Sequence, residues 1–246
     1  KGAVATAAVV IEDFADLLSE YVLFVGSETR IKGSLQDLAA ISHYFEGATP
    51  LIGENTDATG NDFLGGIVVP VYAKVEAGKP FTHAATRTAV TNIATETLAI
   101  DAWWDAGRAG RKAIHAVRLN HTTAGSAGME QFSLPLAPVG VMQMLLLAYP
   151  SASGFTDANI DVSIQRLRIM RDGITHSEIN VLSGAMCGLE LDVVTPAPLA
   201  DLLRQYYAFD FRASGINLKD GGKWTLAGDV QDVSDAIGFI PIIEMA

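Results

Sequence analysis

The chain contains little cysteine and few charged residues. Its single cysteine is Cys187, so no disulfide can form within the chain. Charged residues make up 18% of the 246 residues, against about 25% in a typical globular domain. A compact monomer of this composition would expose much apolar surface, and such patches usually contact a partner. We therefore expect an extensive oligomer interface. The alternative is a well-packed β-protein with Thr, Ser and Ala on its exposed faces.

Positive charge and long apolar runs are also scarce. Lys and Arg number 17 and Asp and Glu number 28, which gives a net charge of −11. Proteins that clamp nucleic acid need clustered cations, and the small group Arg108, Arg111 and Lys112 is better explained as a solvated loop. No uninterrupted apolar run reaches the ~20 residues of a transmembrane helix. Direct nucleic-acid binding, tight binding to an anionic membrane and a transmembrane anchor are all disfavoured.

Catalytic motifs are missing too. Ser126 lies in Ala-Gly-Ser-Ala-Gly. A nucleophile elbow requires a strand before the serine and a helix after it, and the sequence predicts neither here. Gly221-Gly222-Lys223-Trp224 does not match a phosphate-binding loop. The five histidines form no His-x-His or His-Glu-x-x-His unit; they are His43, His83, His115, His121 and His176. The sequence therefore predicts no enzyme and no catalytic residue.

One loop, residues 54–62, is rich in oxygen ligands. Glu54, Asp57 and Asp62 are its calcium candidates, because Ca²⁺ prefers carboxylate and carbonyl oxygens. Their spacing does not match an EF-hand, so an Asx-rich turn is the simpler interpretation. Apart from this structural Ca²⁺, no cofactor is predicted. A metal shared by His115 and His121 is a weaker alternative.

One pattern occurs twice, about 140 residues apart. The first copy is a strand over 18–25, then Gly26, a polar stretch and a helix ending at Gly47. The second is a strand over 160–171, then Asp172-Gly173 and a helix that we predict to begin near Ser177 and end near Gly188. A repeat of this length suits a small domain, so the pattern indicates one fold used twice in tandem.

The helix of the first copy has clear signals at both ends. Ser34 with Asp37 forms a capping-box variant, and Gly47 is a plausible end. The apolar stripe at helical spacing consists of Leu35, Leu38, Ile41 and Phe45. A third helix is predicted to begin at Thr195-Pro196 and to carry Tyr206 on its apolar face.

Elsewhere the chain alternates short strand patterns with turn-rich loops. At least ten short strands and three helices fit the sequence, with irregular spacing. This favours antiparallel sandwiches over a parallel sheet with alternating helices. Residues 122–130 are small and lack aromatic side chains, so they are the best candidate for a linker.

Four segments in this order resemble a known family. They are residues 29–47 with their Gly-Ser-x-x-Asp-Leu helix, 162–173 ending in Asp-Gly, Tyr207-Ala-Phe-Asp-Phe211, and the closing segment 239–245. The chain resembles the double jelly-roll major capsid proteins of tailless, internal-membrane-containing bacterial viruses, in the corticovirus pattern. The resemblance implies an all-β fold of two tandem jelly-roll β-sandwiches with a few short helices in the connections. The predicted domains are residues 1–125 and 126–246.

The resemblance also implies a function. Three copies would form a pseudo-hexameric homotrimer that tiles an icosahedral virion shell over an internal membrane. The implied partners are neighbouring capsomers, other capsid and vertex proteins, and the lipid membrane, contacted without a transmembrane anchor. The protein would be assembled in the host cytoplasm and located in the virion. By residue type alone, the interface candidates are Trp104, Phe132, Tyr149 and Trp224.

Two other functions remain open. The first is a carbohydrate-binding β-sandwich, because Trp103-Trp104 lies between Asp101 and Asp105, and tryptophan beside carboxylates can mark a sugar site. The second is an enzyme on a jelly-roll scaffold.

Overall fold

The computed structural model describes residues 2–4, 16–48, 51–52, 62–63, 65–66, 79–90, 93–97, 99, 112–122, 129–148, 164–180, 203, 206–231 and 236–245. The chain divides into two compact units, one made of Lys1–Ile114 with Ala197–Leu202 and the other of His115–Pro196 with Leu203–Ala246. The predicted boundary between residues 125 and 126 lies outside the described residues and stays a prediction.

The described residues are mostly strands. The first unit contains β1 (Gly2–Val4), β2 (Leu18–Val25), β3 (Glu28–Gly33), β4 (Leu51–Ile52), β5 (Asp62–Phe63), β6 (Gly65–Gly66), β7 (Phe81–Arg87) and β8 (Ile93–Glu96), and helix α1 (Leu35–Glu46) follows β3. Strand β9 (Ile114–Val117) begins at the division. The second unit continues with β10 (Leu119–Thr122), β11 (Met129–Pro135), β12 (Gly140–Ala148), β13 (Ile164–Arg171), β14 (Ile174–Asn180), β15 (Tyr206–Asp210), β16 (Ile216–Asn217), β17 (Trp224–Gln231) and β18 (Ala236–Met245). The predicted all-β fold class is confirmed.

In the first unit, β2 pairs antiparallel with β3 on one side and with β7 on the other. The β2–β3 hairpin turns at Gly26-Ser27, and Gly26 has a φ of 62°. A positive φ at the first turn residue is typical of a type II′ turn, where glycine carries no steric penalty. The polar stretch that follows Gly26 is therefore a strand, which the sequence pattern did not reveal.

Helix α1 has the predicted caps. The Asp37 amide donates to Ser34 Oγ at 3.1 Å, and the Ser34 amide donates to Asp37 Oδ2 at 2.7 Å. Gly47 ends the helix with a φ of 70° and donates its amide to the His43 carbonyl at 2.8 Å. The helix packs against β2 and β3. Its last turn buries Tyr44, while Phe45 of the predicted stripe is half-buried.

The second unit contains a sandwich of two antiparallel sheets. One has the order β15–β12–β18. In addition, β10 pairs with β18 and β16 pairs with β12. The other has the order β11–β17–β13–β14. Their inner faces share one apolar cluster, in which Phe132 of β11 and Phe239 of β18 lie with ring centroids 5.1 Å apart.

The second copy of the repeated pattern is also a hairpin. Strands β13 and β14 are joined by Asp172-Gly173, whose φ values are 51° and 82°. Two positive φ values define the type I′ turn that Asp-Gly favours.

The prediction of a helix that begins near Ser177 is wrong for Ser177–Asn180, because these residues belong to β14. Ser177 pairs with Ile169 and Ile179 pairs with Leu167, so the cross-strand partners decide the structure of this segment. The rest of the predicted helix, residues 181–188, lies outside the described residues. Tyr206 was predicted on the third helix, but it begins β15 and pairs with Ala148.

Candidate interaction surface

The outer face of sheet β11–β17–β13–β14 carries several polar side chains. Alternation along β13 turns Leu167 and Ile169 into the core and leaves Arg168 and Met170 on the outer face. Residues with outward positions on the neighbouring strands line an open groove of about 660 Å³ on this face. They include Gln131, Ser133, Thr225 and Asp229.

An ion pair between Arg168 and Asp229 lies in this groove, between Arg168 Nη2 and Asp229 Oδ2. The two side chains are only 27% and 17% exposed. Arg168 Nε and Asp229 Oδ1 are buried and have no hydrogen-bond partner among the described residues. A guanidinium and a carboxylate that share one face can recognise polar groups of a partner, but no nucleophile and base converge here.

The β13–β14 hairpin end is held by a second set of polar contacts. Asp172 Oδ1 accepts a hydrogen bond from the Lys223 amide at 2.7 Å, and the Asp172 amide donates to the Lys223 carbonyl at 3.0 Å. Arg171 donates to the carbonyl of Asp220. On this ordered turn, Ile174 is 74% exposed. Ile174 was not among the predicted interface residues, although its position directly after Asp-Gly predicts a place at the hairpin end.

Two of the four predicted interface residues are core side chains. Phe132 is 6% exposed and Trp224 is 2% exposed, so almost none of either ring is available to a partner in this structure. Trp224 lies under the Arg171 guanidinium, 5.7 Å from the ring centroid, and against His176. Trp104 and Tyr149 lie outside the described residues, and their interface role stays a prediction.

The calcium candidates are not tested by this structure. Glu54 and Asp57 lie outside the described part of the chain, and Asp62 is placed only through its backbone, opposite Ala3. The described ranges contain no group of three or more His, Cys, Asp and Glu residues that could hold a metal ion.

Among the described residues, His43, His83, His121 and His176 each lie beside an aromatic ring. His43 contacts Tyr44 edge-on, with the ring centroids 5.2 Å apart, and His176 contacts Trp224 in the same way, with the ring centroids 5.1 Å apart. His121 stacks on Phe132 at 4.9 Å, and His83 stacks on Tyr21 at 6.3 Å. These placements are packing contacts.

The residues behind the carbohydrate-binding alternative also lie outside the described ranges, namely Asp101, Trp103, Trp104 and Asp105. That alternative stays a prediction. Within the part of the chain that the structure covers, no helix is long and apolar enough to cross a membrane.

No protein-family model matches the chain, and no curated protein sequence matches it. Solved structures do match. The chain superimposes on the STIV MCP, a major capsid protein, with a TM-score of 0.64 and 13% identity, over 99% of this chain and 84% of that one. The chain has the double jelly-roll capsid-protein fold. At this identity, the match establishes the fold alone.

Two further structures support the same fold. The major capsid protein P2 of bacteriophage PM2 matches with a TM-score of 0.51 and 11% identity, over 100% of this chain and 89% of that one. VP54 of PBCV-1, a structure fitted into a cryo-EM reconstruction of the virophage Sputnik, matches with a TM-score of 0.53 and 9% identity, over 98% of this chain and 84% of that one. The resemblance inferred from the sequence is confirmed at the level of the fold.

Proposed function

We propose that this chain is a structural major capsid protein without enzymatic activity. The observation that carries the proposal is the agreement in fold with viral major capsid proteins over 99% of the chain. The matched residues come from both units, so the agreement is not limited to a single common sandwich. A fold can host many functions, and the chemistry of the site must therefore agree with the proposal.

The chemistry of the described residues does agree. The polar groups on the outer sheet face form an ion pair and turn contacts, which suit recognition of another protein. The low charge content suits a protein with large lateral contacts, since obligate interfaces bury about 2,000–5,000 Å². The net charge of −11 disfavours direct contact with nucleic acid.

In the assembly that we propose, three copies form a pseudo-hexameric homotrimer. The trimers tile an icosahedral shell over an internal membrane, beside other capsid and vertex proteins. The inner side of the shell contacts the lipid. The protein is assembled in the host cytoplasm and ends in the virion. Trp104 and Tyr149 are the aromatic candidates for the contacts between copies.

Electron microscopy of the purified chain tests this assembly. Class averages of negatively stained particles should show three-fold particles with a near-hexagonal outline, because each copy contributes two similar units. Addition of a precipitant that concentrates the protein should give flat arrays or curved shells of these particles. Single units without three-fold symmetry at every concentration would contradict the proposal.

A further inference from the structure

Strand β7 is unusually exposed for a strand in a folded unit. Six of its seven residues, Thr82 to Arg87, are exposed, and Phe81 is half-buried. An antiparallel strand commonly buries one face in the core and leaves the other to solvent. Here both faces are exposed along the strand. Within the described ranges, β7 pairs only with β2, so its second edge faces away from the sheet.

The sequence of β7 carries few of the devices that protect a strand edge. Lysine, proline, charged side chains and bulges normally prevent such edges from pairing with another chain. The interior of β7, Thr82–Thr86, contains only Thr, His and Ala, and its pairing with β2 is regular up to a bulge at the Leu18/Glu20 end. The small side chains on both faces leave room for another strand to approach.

The strand is also complementary to itself. In an antiparallel pair of two β7 strands centred on Ala84, all seven residues find a partner. Thr82 pairs with Thr86, His83 pairs with Ala85, and Ala84 pairs with Ala84 of the second copy. Cross-strand threonine pairs are favourable.

The neighbouring registers are worse. A shift of the centre to His83 or to Ala85 pairs only five of the seven residues. The first places His83 opposite itself, and the second places His83 opposite Arg87, so neither register forms the Thr82–Thr86 pair. The sequence thus favours one register.

We infer that β7 is the site at which a second copy of this chain binds, through antiparallel strand pairing around a two-fold axis at Ala84. The same surface serves both partners, as a two-fold contact requires. This contact does not depend on the capsid proposal. A two-fold contact cannot close a three-fold particle, so in a shell it would join neighbouring trimers.

Cysteine trapping tests the register. In a Cys187→Ser background, Ala84→Cys should form a disulfide-linked dimer under mild oxidation. A direct pair brings the two Cβ atoms to about 4.5–5.5 Å, and a small shift of the two strands reaches the roughly 3.5–4.5 Å of a disulfide. Thr82→Cys and Thr86→Cys should each stay unlinked alone and should link when mixed. The matched control is Thr175→Cys on the exposed edge strand β14. Linkage of Ala84→Cys no greater than that of the control would overturn the inference.

Charge exchange at the same position gives a second test. Ala84→Lys and Ala84→Asp should each weaken the self-association about five-fold, since like charges would face each other. An equimolar mixture should restore it, whereas Ala84→Thr should retain it throughout. Sedimentation equilibrium measures the association, and circular dichroism checks the fold. Equal association of the separate and mixed variants would exclude the Ala84-centred register.

The outcomes separate this inference from the proposed function. If the chain forms three-fold particles and Ala84→Cys remains unlinked, only the β7 contact is wrong. If Ala84→Cys links efficiently and no three-fold particle forms, the β7 contact stands and the capsid proposal fails.

Discussion

Strands β12 and β7 show opposite extremes of burial. Residues Met144–Ala148 of β12 are all buried, because β12 lies between β15 and β18 and both of its faces are covered. In β7, Thr82–Arg87 are all exposed. The near-continuous apolar run of β12 suits a strand that is buried on both sides, and the small polar residues of β7 suit a surface. The contrast places β12 in the interior and leaves the outer edge of β7 accessible, as the proposed contact with a second copy requires.

The largest expected effect comes from truncation in the core of the second unit. Phe239→Ala should lower the free energy of unfolding by about 3–5 kcal/mol, because the ring is fully buried against Phe132. On β7, Ala84→Thr should change the unfolding free energy by less than about 0.5 kcal/mol. Urea unfolding of both variants measures the contrast. Similar losses would show that Phe239 of β18, in the same sheet as β12, is no more buried than Ala84 of β7.

A backbone contact in the second unit gives the next effect. A Cβ atom at Gly140 would overlap the Glu244 carbonyl oxygen on the paired strand β18. Gly140→Ala should therefore cost about 1–3 kcal/mol through forced separation of β12 and β18. The matched control in the first unit is Gly66→Ala, since a Cβ there meets nothing within 4 Å. A neutral Gly140→Ala would refute the tight pairing of these two strands.

The capping box measures how much the first unit depends on local interactions. Ser34→Ala removes the oxygen that accepts from the Asp37 amide and should cost about 1 kcal/mol. Ser34→Thr retains the hydroxyl and should lose much less. Chemical denaturation of the three proteins provides the comparison, and an Ala variant as stable as the Thr variant would argue against the cap.

The ion pair on the outer sheet face should contribute less. A double-mutant cycle with Arg168→Met and Asp229→Asn should give a coupling energy of at least about 0.5 kcal/mol, because the side chains are in contact and largely shielded from water. The exposed pair Arg166–Glu178, separated by 3.9 Å, is the control and should couple more weakly. Equal coupling in both cycles would show that burial does not strengthen the first pair.

The smallest effect concerns Tyr21, which lies beside β7. Burial raises the pKa of the Tyr21 phenol above its usual value of 10.0. Because the folded pKa is higher than the unfolded pKa, the neutral phenol contributes its full stability when the pH is below the pKa of tyrosine in the unfolded chain. This contribution is lost as the pH rises through the pKa of Tyr21 in the folded protein. Relative to Tyr21→Phe, the wild-type protein should therefore lose stability as the pH rises from about 9 through the folded pKa of Tyr21. A stability difference that stays constant over this rise would contradict the partly buried phenol.

Local signals explain what the sequence predicted well. Strand β2 over 18–25, the caps of α1 and the turn at Asp172-Gly173 each depend on residues close together in the chain. The errors involve distant partners. Ser177 was predicted on a helix, but it lies on a strand because it pairs with Ile169. That pairing depends on the register of β14 against β13, which the local sequence around Ser177 does not reveal. The Arg168–Asp229 pair joins residues 61 positions apart, and only the alignment of β13 with β17 brings them together. Strand β7 was missed because it lacks an apolar period.

The mass of the full chain in solution tests the central claim most directly. Light scattering across a range of concentrations should give three times the 26.1 kDa chain, about 78 kDa, or a multiple of that value where trimers join. A constant mass of 26.1 kDa up to high concentration would contradict an account in which this protein exists to assemble with its own copies.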